Sequence, residues 1–412
     1  MKFAIAVHGT RGDVEPAAAV ALELIRRGHE VRMAVPPNLV EFAESAGIPG
    51  PVLAYGPDSQ QQLEAEVFGE WWKIRNPATV LRQAREYITE GWAEMNTTLT
   101  EISAGADLIL TGTTYQEVAA NVAEYRGIPL AALHYFPARA NSKILPVPLP
   151  MGIVRPGWAV AEWAHWRLLK PAEDEQRRVL GLPKARTRAV RRIVESGALE
   201  IQAYDEVIFP GLSEQLGPNR PLIGSITLQM PTELDADVAS WVDAGTPPIY
   251  LGFGSMPVDD PAEAVAMITR VAAQLGERAL ICSGVLDVSG VTAADHVKIV
   301  KSVNHAAIFP KCRAIVHHGG AGTTAASLRS GVPTLVLWVG ADQPVWANQI
   351  KRLGVGTSRR FSQTTAETLR EDLRTTLSPE CARRAREVAA EMTPPARSAA
   401  HAADLLEQTA SR

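Results

Sequence analysis

Short apolar runs and amphipathic stretches alternate along this chain in a way that predicts a parallel α/β fold. Residues 2–8 are a run of β-forming side chains ending in the polar string His8-Gly9-Thr10-Arg11-Gly12-Asp13. A helical pattern follows, with Pro16 suited to its first turn and Gly28-His29 to its end. Residues 30–35 make a second strand, stopped by Pro36-Pro37. Strand, helix and strand at this spacing form a right-handed βαβ unit. Residues 38–46 read as an amphipathic helix, 51–54 as a short strand, 58–75 as a polar and aromatic flap with helical parts, and 77–102 as one long helix. Residues 107–110, 115–125 and 130–134 continue as strand, helix and strand.

Residues 139–170 differ in character. Pro146, Pro148, Pro150, Gly152, Pro156 and Gly157 break up an apolar stretch, and this proline density predicts no regular structure before Gly157. Trp158, Trp163 and Trp166 follow within nine residues. Such a group suits either ordinary helix packing or the wall of an apolar pocket that could dip toward a membrane. Residues 173–196 are helical and basic, 199–209 return a strand, and 210–231, rich in proline and glycine, read as a linker allowing a hinge. A second series opens with strand 249–253 and the turn Gly254-Ser255-Met256-Pro257, continues with strands 278–282 and 297–300, and closes with helices 366–376, 380–391 and 395–409.

The stretch from 313 to 348 carries the clearest chemistry. An apolar strand at 313–317 runs into His318 and a turn containing Gly319, Gly320 and Gly322, which opens a helix at Thr323. Backbone N–H groups at such a helix start point at an anion, and the hydroxyls of Thr323 and Thr324 can add donors. Gly331-Val332-Pro333 closes the helix, and the strand 334–337 leads to Asp342-Gln343, on the side where open α/β sheets place ligand contacts. Gly320-Ala321-Gly322-Thr323-Thr324-Ala325 also fits the dinucleotide fingerprint, with Asp342 placed to meet a ribose, so an NAD-dependent oxidoreductase is the rival reading. Against it, the His pair would crowd a pyrophosphate, and Asp342 lies beyond an intervening Gly-Ala turn.

The order of His, Gly-rich turn, Gly-Val-Pro and Asp-Gln resembles the donor-binding signature of the family 1 glycosyltransferases. That resemblance implies the GT-B fold, two Rossmann-like doubly wound domains facing a central cleft. It implies an N-terminal acceptor-binding domain over 1–209, a linker over 210–231, a C-terminal donor-binding domain over 232–392, and a last helix over 393–412 crossing back onto the first domain. Residue by residue, His318, Gly320, Gly322, Thr323 and Ser255 would hold the diphosphate of a nucleotide sugar, Asp342 and Gln343 the sugar, and Val303 and His305 the base. Asp13 stands where the family places its general base, with Thr10, Arg11 and Gly12 expected at the donor. Its bland alternative is a helix cap, which Asp serves well. Trp71, Trp158, Trp163 and His134 are the expected acceptor contacts. Eight residues after His318, where UDP-sugar members carry a Glu that clamps both ribose hydroxyls, this chain has Ala326. A dTDP-sugar, lacking the 2′-hydroxyl, has less need of that clamp. The string GTRGDVEP and the PVWANQI after Asp342 look most like mycobacterial glycopeptidolipid glycosyltransferases, and next like actinomycete natural-product enzymes. The resemblance therefore implies an inverting, metal-independent hexosyltransferase with no cofactor, moving a deoxyhexose to a lipopeptide or other hydrophobic hydroxyl. A UDP-sugar enzyme acting on a small natural product is the alternative.

Composition narrows the partners. The chain has 412 residues, enough for two domains of about 200 each. A net charge of −4 gives no basic footprint for nucleic acid. Cys282, Cys312 and Cys381 are odd in number and lack metal spacing, so they read as buried thiols of a reducing compartment. The start lacks a long apolar region, and no stretch approaches a membrane span. A cytoplasmic protein is expected, able to touch the inner face of the plasma membrane.

Overall fold

A computed structural model describes residues 1–68, 77–145, 150–228, 235–254, 258, 260–288, 291 and 293–412. The chain divides into two compact units. One takes in Met1–Glu206, Pro210–Leu228 and Pro394–Arg412, and the other Val207–Phe209 and Gln229–Thr393.

The first unit is built on β1 (Lys2–Ala6), β2 (Glu30–Val35), β3 (Leu53–Ala54), β4 (Leu108–Thr111), β5 (Leu130–His134) and β6 (Leu199–Gln202). They form one sheet in the order β3-β2-β1-β4-β5-β6, and each adjacent pair is parallel. The second contains β7 (Ile249–Gly252), β8 (Ala279–Cys282), β9 (Val297–Val300), β10 (Ala314–His317), β11 (Thr334–Trp338) and β12 (Gly356–Arg360). Their order, β12-β11-β10-β7-β8-β9, is the same winding, again all parallel. Strands covered on both faces read as continuous apolar runs, as Phe3-Ala4-Ile5-Ala6 does, and all four are buried. Each sheet has its switch point between its first and fourth strand, which places the ligand side at the loops after β1 and β4, and after β7 and β10.

Several sequence expectations shift. The first helix spans Arg11–Arg26, so Pro16 is its sixth residue and Asp13 its third, rather than Pro16 opening it. The long helix expected over 77–102 is two, Pro77–Ile88 and Trp92–Ile102, parted at Gly91 with φ 69°. Of the stretch expected to lack regular structure before Gly157, residues 151–156 instead open a helix, Met151–Val179, with Pro150 as N-cap, while Pro146 and Pro148 lie outside the described residues. Pro156 is tolerated inside it because Pro156 and Gly152, whose carbonyl loses its usual partner, both face solvent. Residues 210–228, read as linker, lie with the first unit, where Gln202 N–H and Ile223 N–H tie β6 to them. The last helix, Pro395–Ala410, packs on Arg11–Arg26. There Arg27 donates to Asp404 at 2.6 Å and Glu407 at 3.0 Å, and Leu406 is buried.

Candidate functional site

In the first unit the site begins where β1 ends. Thr10 N–H donates to Asp13 Oδ2 at 2.8 Å and the Thr10 hydroxyl to the same oxygen at 3.2 Å, which closes the start of the helix Arg11–Arg26. The carboxylate thus sits half-buried at a positive helix end on the ligand side of the sheet. Gly9 is required there twice over. Its φ is +140°, and a Cβ on it would lie 2.3 Å from Asp13 Oδ2. Arg11 and Gly12 are exposed; Arg11 pairs with Glu15 at 3.2 Å, its guanidinium 4.6 Å over the Phe42 ring.

Beyond β4 and β5, two tyrosines close on this loop. Tyr115 holds a left-handed backbone, φ 54°, and packs edge-on against His8 at 5.1 Å. A strained residue at a switch point fits a functional loop. Tyr135 is buried, and its hydroxyl has no hydrogen-bond partner among the described residues. Gly112 lies beside it: a Cβ there would sit in ordinary contact with that hydroxyl, at 3.6 Å, and would crowd Val7 Cγ1, on the β1 side, at 3.1 Å. Burial, and then the charge of Asp13, push the Tyr135 phenol well above its ordinary pKa, so it stays protonated.

His134 does not face an acceptor. It is fully buried, its ring nitrogens 2.7 Å from Gln116 Nε2 and 3.3 Å from Gln202 Nε2. Burial, and then the Arg139 guanidinium, lower its pKa to about 3, so it is neutral. It belongs to a buried network in which Glu200 accepts from Arg139 and Arg220, each at 2.6 Å. Burial alone would raise Glu200, but the guanidinium groups of Arg139 and Arg220 outweigh it and hold it below its usual range. This network locks β5 to β6 and is structural.

Trp158 and Trp163, both expected at an acceptor, lie on different sides of the helix Met151–Val179. Trp158 is half-buried, whereas Trp163 is exposed. Trp71 lies outside the described residues, as does Ser255.

In the second unit the site forms at the ends of β7 and β10. The His318 ring is wedged between two glycines: a Cβ on Gly254 would lie 2.5 Å from His318 Cε1, and one on Gly320 2.6 Å from Nε2. Neither position can carry a side chain while the ring stays there. Core-side of His317 and His318 lies an apolar hollow lined by Leu251, Phe253, Val316 and Leu337. Burial lowers the His318 pKa to about 4, and Nδ1 has no partner among the described residues. The ring is therefore neutral at pH 7, and a diphosphate brought against it would favour its protonated form. Gly320 caps the helix Ala321–Arg329, whose first N–H groups, at Ala321, Gly322 and Thr323, open beside the ring. Thr323 is half-buried, but Thr324 is not a ligand donor: it is fully buried and its hydroxyl bonds Gly320 O at 2.9 Å.

After β11 a second strained residue, Ala341 at φ 53°, turns the chain into the helix Gln343–Leu353. Trp346 Nε1 donates to Asp342 Oδ2 at 2.8 Å. Gln343 Oε1 accepts from Val339 N–H at 2.7 Å and from Gly340 N–H at 3.3 Å, which leaves its amide NH2 as the donor end. Burial raises the Asp342 pKa, opposed by the Trp346 bond. Pinned this way, the two side chains form a preorganised polar pair suited to sugar hydroxyls. The Trp346 support was readable as the i, i+4 partner of Asp342 once a helix is placed there.

Val303 is buried in the core, and His305 stacks on Phe309 at 4.3 Å with Nε2 3.2 Å from the Tyr250 hydroxyl. The cap of its short helix is Asn304, which accepts from Ala306 N–H at 3.0 Å. Among the described residues no group of three or more His, Cys, Asp or Glu could hold a metal ion. No helix among the described residues is long and apolar enough to cross a membrane.

Two doubly wound parallel sheets, each with a glycine-lined polar site at its switch point, define a glycosyltransferase of the GT-B type, and the chain belongs to the family 1 glycosyltransferases. Residues 3–142 match the glycosyltransferase family 28 N-terminal domain, and 285–407 the C-terminal domain of erythromycin biosynthesis protein CIII-like proteins. The chain is 57% identical over 414 residues to an uncharacterised glycosyltransferase of Mycobacterium tuberculosis, spanning all of both chains. It is 30% identical over 404 residues to the vancomycin aglycone glucosyltransferase of Amycolatopsis orientalis, with 94% of this chain and 93% of that one covered. In fold it is similar to the glycosyltransferase VinC, crystallised with dTDP, at a TM-score of 0.69 and 20% identity over all of both chains. The dinucleotide oxidoreductase reading of the glycine turn falls with that membership.

Proposed function

We propose that this glycosyltransferase moves a deoxyhexose, such as rhamnose or 6-deoxytalose, from a dTDP-sugar to a hydroxyl of a lipopeptide or other hydrophobic acceptor, in glycolipid or glycopeptidolipid synthesis. Ala326 carries the donor reading. It lies on the helix that Gly320 caps, and its methyl has no group to clamp a ribose 2′-hydroxyl. The dTDP bound by VinC supports the same nucleotide class.

In this mechanism Asp13 takes the proton of the acceptor hydroxyl as that oxygen attacks the anomeric carbon. The bond from that carbon to the diphosphate oxygen breaks, configuration inverts, and dTDP leaves with the electron pair. His318 and the N–H groups from Ala321 onward face the charge that grows on the leaving diphosphate, so their contribution is largest in the transition state. Asp342 and Gln343 orient the sugar. With these groups holding the diphosphate, transfer proceeds without a metal, and EDTA leaves the rate unchanged.

The test is transfer of radiolabel from dTDP-rhamnose and from UDP-glucose into deglycosylated glycopeptidolipid. Label from the dTDP-sugar alone is expected. Label from UDP-glucose alone would overturn the donor assignment, and label from neither would overturn the acceptor.

A further inference from the structure

Around Asp13 the polar hydrogens of the neighbouring side chains are committed one after another. Thr10 directs both its N–H and its hydroxyl at a single carboxylate oxygen, Oδ2. His8 is neutral because burial lowers its pKa, and the Pro57 carbonyl, 3.0 Å from Nε2, can only accept. The His8 proton therefore sits on Nε2, and Nδ1 has nothing to donate. Thr114 donates its hydroxyl to His8 O at 2.5 Å. The Arg11 guanidinium turns to Glu15 and lies over the Phe42 ring, and Gln62 engages the Tyr115 hydroxyl.

Tyr135 is the exception. Val7, Gly112 and Tyr135 each stand one residue past the end of β1, β4 and β5, which are neighbours in the first sheet. A Cβ on Gly112 would have Val7 Cγ1 at 3.1 Å and the Tyr135 hydroxyl at 3.6 Å, so the hydroxyl lies at the switch point, level with the start of the loop that carries Asp13. The tyrosine is buried, and its oxygen has no partner among the described residues. Phenylalanine would fill the same space without that unpaired group, so packing alone does not call for the hydroxyl. A buried polar group left this way calls for a functional account. The charge felt at this phenol is that of Asp13. We infer that Tyr135 is a positioning residue for the transfer: its O–H meets the Asp13 carboxylate as the acceptor seats, and fixes the direction in which that carboxylate takes the acceptor's proton. Catalytic hydrogen bonds that are long in a free enzyme close in the complex in this way. Tyr135 keeps its own proton throughout, and the proton that moves goes from the acceptor hydroxyl to Asp13. The inference rests on Asp13 being the base, and holds whichever sugar is transferred.

The test is a double-mutant cycle of Y135F and D13N, measured as radiolabel transfer by the full-length protein at saturating donor. Y135F should lower kcat about tenfold and leave the acceptor KM within about twofold. On the D13N background the same change should lower kcat no further, because the group it acts through is already disabled. Melting temperature no lower than wild type and unchanged dTDP affinity would show that the fold and the donor site of Y135F are intact. Y135F transferring within about threefold of wild type, or an equal tenfold loss on the D13N background, would overturn the inference, since the hydroxyl would then be idle or act on its own. So would a fall in kcat joined to a lower melting temperature and weaker dTDP binding, which marks a packing role. D13N itself transferring like wild type would instead overturn the base assignment, so the two failures are read separately.

Discussion

Replacing Asp13 with Asn separates the two jobs its carboxylate can do. As a cap, Asp13 accepts from Thr10 N–H at 2.8 Å and from the Thr10 hydroxyl at 3.2 Å. Asn keeps a carbonyl oxygen in that place, so the helix start loses mainly the charge at its positive end, about 0.3–1 kcal/mol. For a unit of this size that is a fall in melting temperature of about 1–4 °C. As a general base the residue contributes far more, and its loss should slow transfer by about 10²–10⁴. The expected outcome is a large fall in kcat with dTDP affinity preserved, since His318 and the donor turn belong to the other unit. Asp13→Ala adds a control: losing both bonds to Thr10 should cost about 0.5–2 kcal/mol, yet lower the rate no further than Asn does. Transfer rates, thermal melts and calorimetry with dTDP give the three readouts. If D13N transfers sugar within about threefold of wild type, Asp13 is a cap and the base lies elsewhere.

Three further outcomes follow from the geometry. Tyr135→Phe deletes a buried hydroxyl without a partner, so the melting temperature should hold or rise while transfer falls by about tenfold; a falling melting temperature with transfer intact would make the hydroxyl structural. His318 titrates at about 4 in the fold against about 6.5 unfolded, so the unfolded chain takes the proton first on acidification. Stability is therefore lost as pH falls through that window, and urea unfolding from about pH 7 to about pH 5 should cost wild type up to roughly 2 kcal/mol more than H318Q. Equal acid sensitivity of the two would contradict the buried neutral ring. Ala326→Glu restores a carboxylate for both ribose hydroxyls and should tighten UDP about tenfold and dTDP less, as read by calorimetry; an equal gain for both would refute the clamp reasoning.

The sheets were legible because buried parallel strands leave uninterrupted apolar runs bounded by glycine and proline, as at 2–8 and 313–317. Helix ends were less so, since local signals compete: Thr10 and Asp13 start the first helix earlier than Pro16 suggests, and Gly91 divides a pattern that reads as continuous. The proline-rich segment misled because Pro150 only caps the helix and the carbonyl that Pro156 frees belongs to Gly152, an exposed residue, and exposure does not show in a sequence. β12 was missed for a related reason: GTSRR at the sheet edge is polar and only half-buried. At the site, the glycine turn, His318 and Asp342-Gln343 declare themselves by spacing. His134 did not reveal that it belongs to a buried network, because Gln116, Arg139, Glu200 and Gln202 come together only through the pairing of β4, β5 and β6. Tyr135, with one aromatic ring among many, carried no signal until its hydroxyl was found without a partner.

The most direct test of the donor assignment is calorimetric titration of the purified protein with dTDP, UDP and NAD in parallel. The account predicts that dTDP binds at least about tenfold more tightly than UDP and that NAD does not bind. Tighter binding of UDP would contradict the meaning given to Ala326, and binding of NAD alone would contradict the site itself.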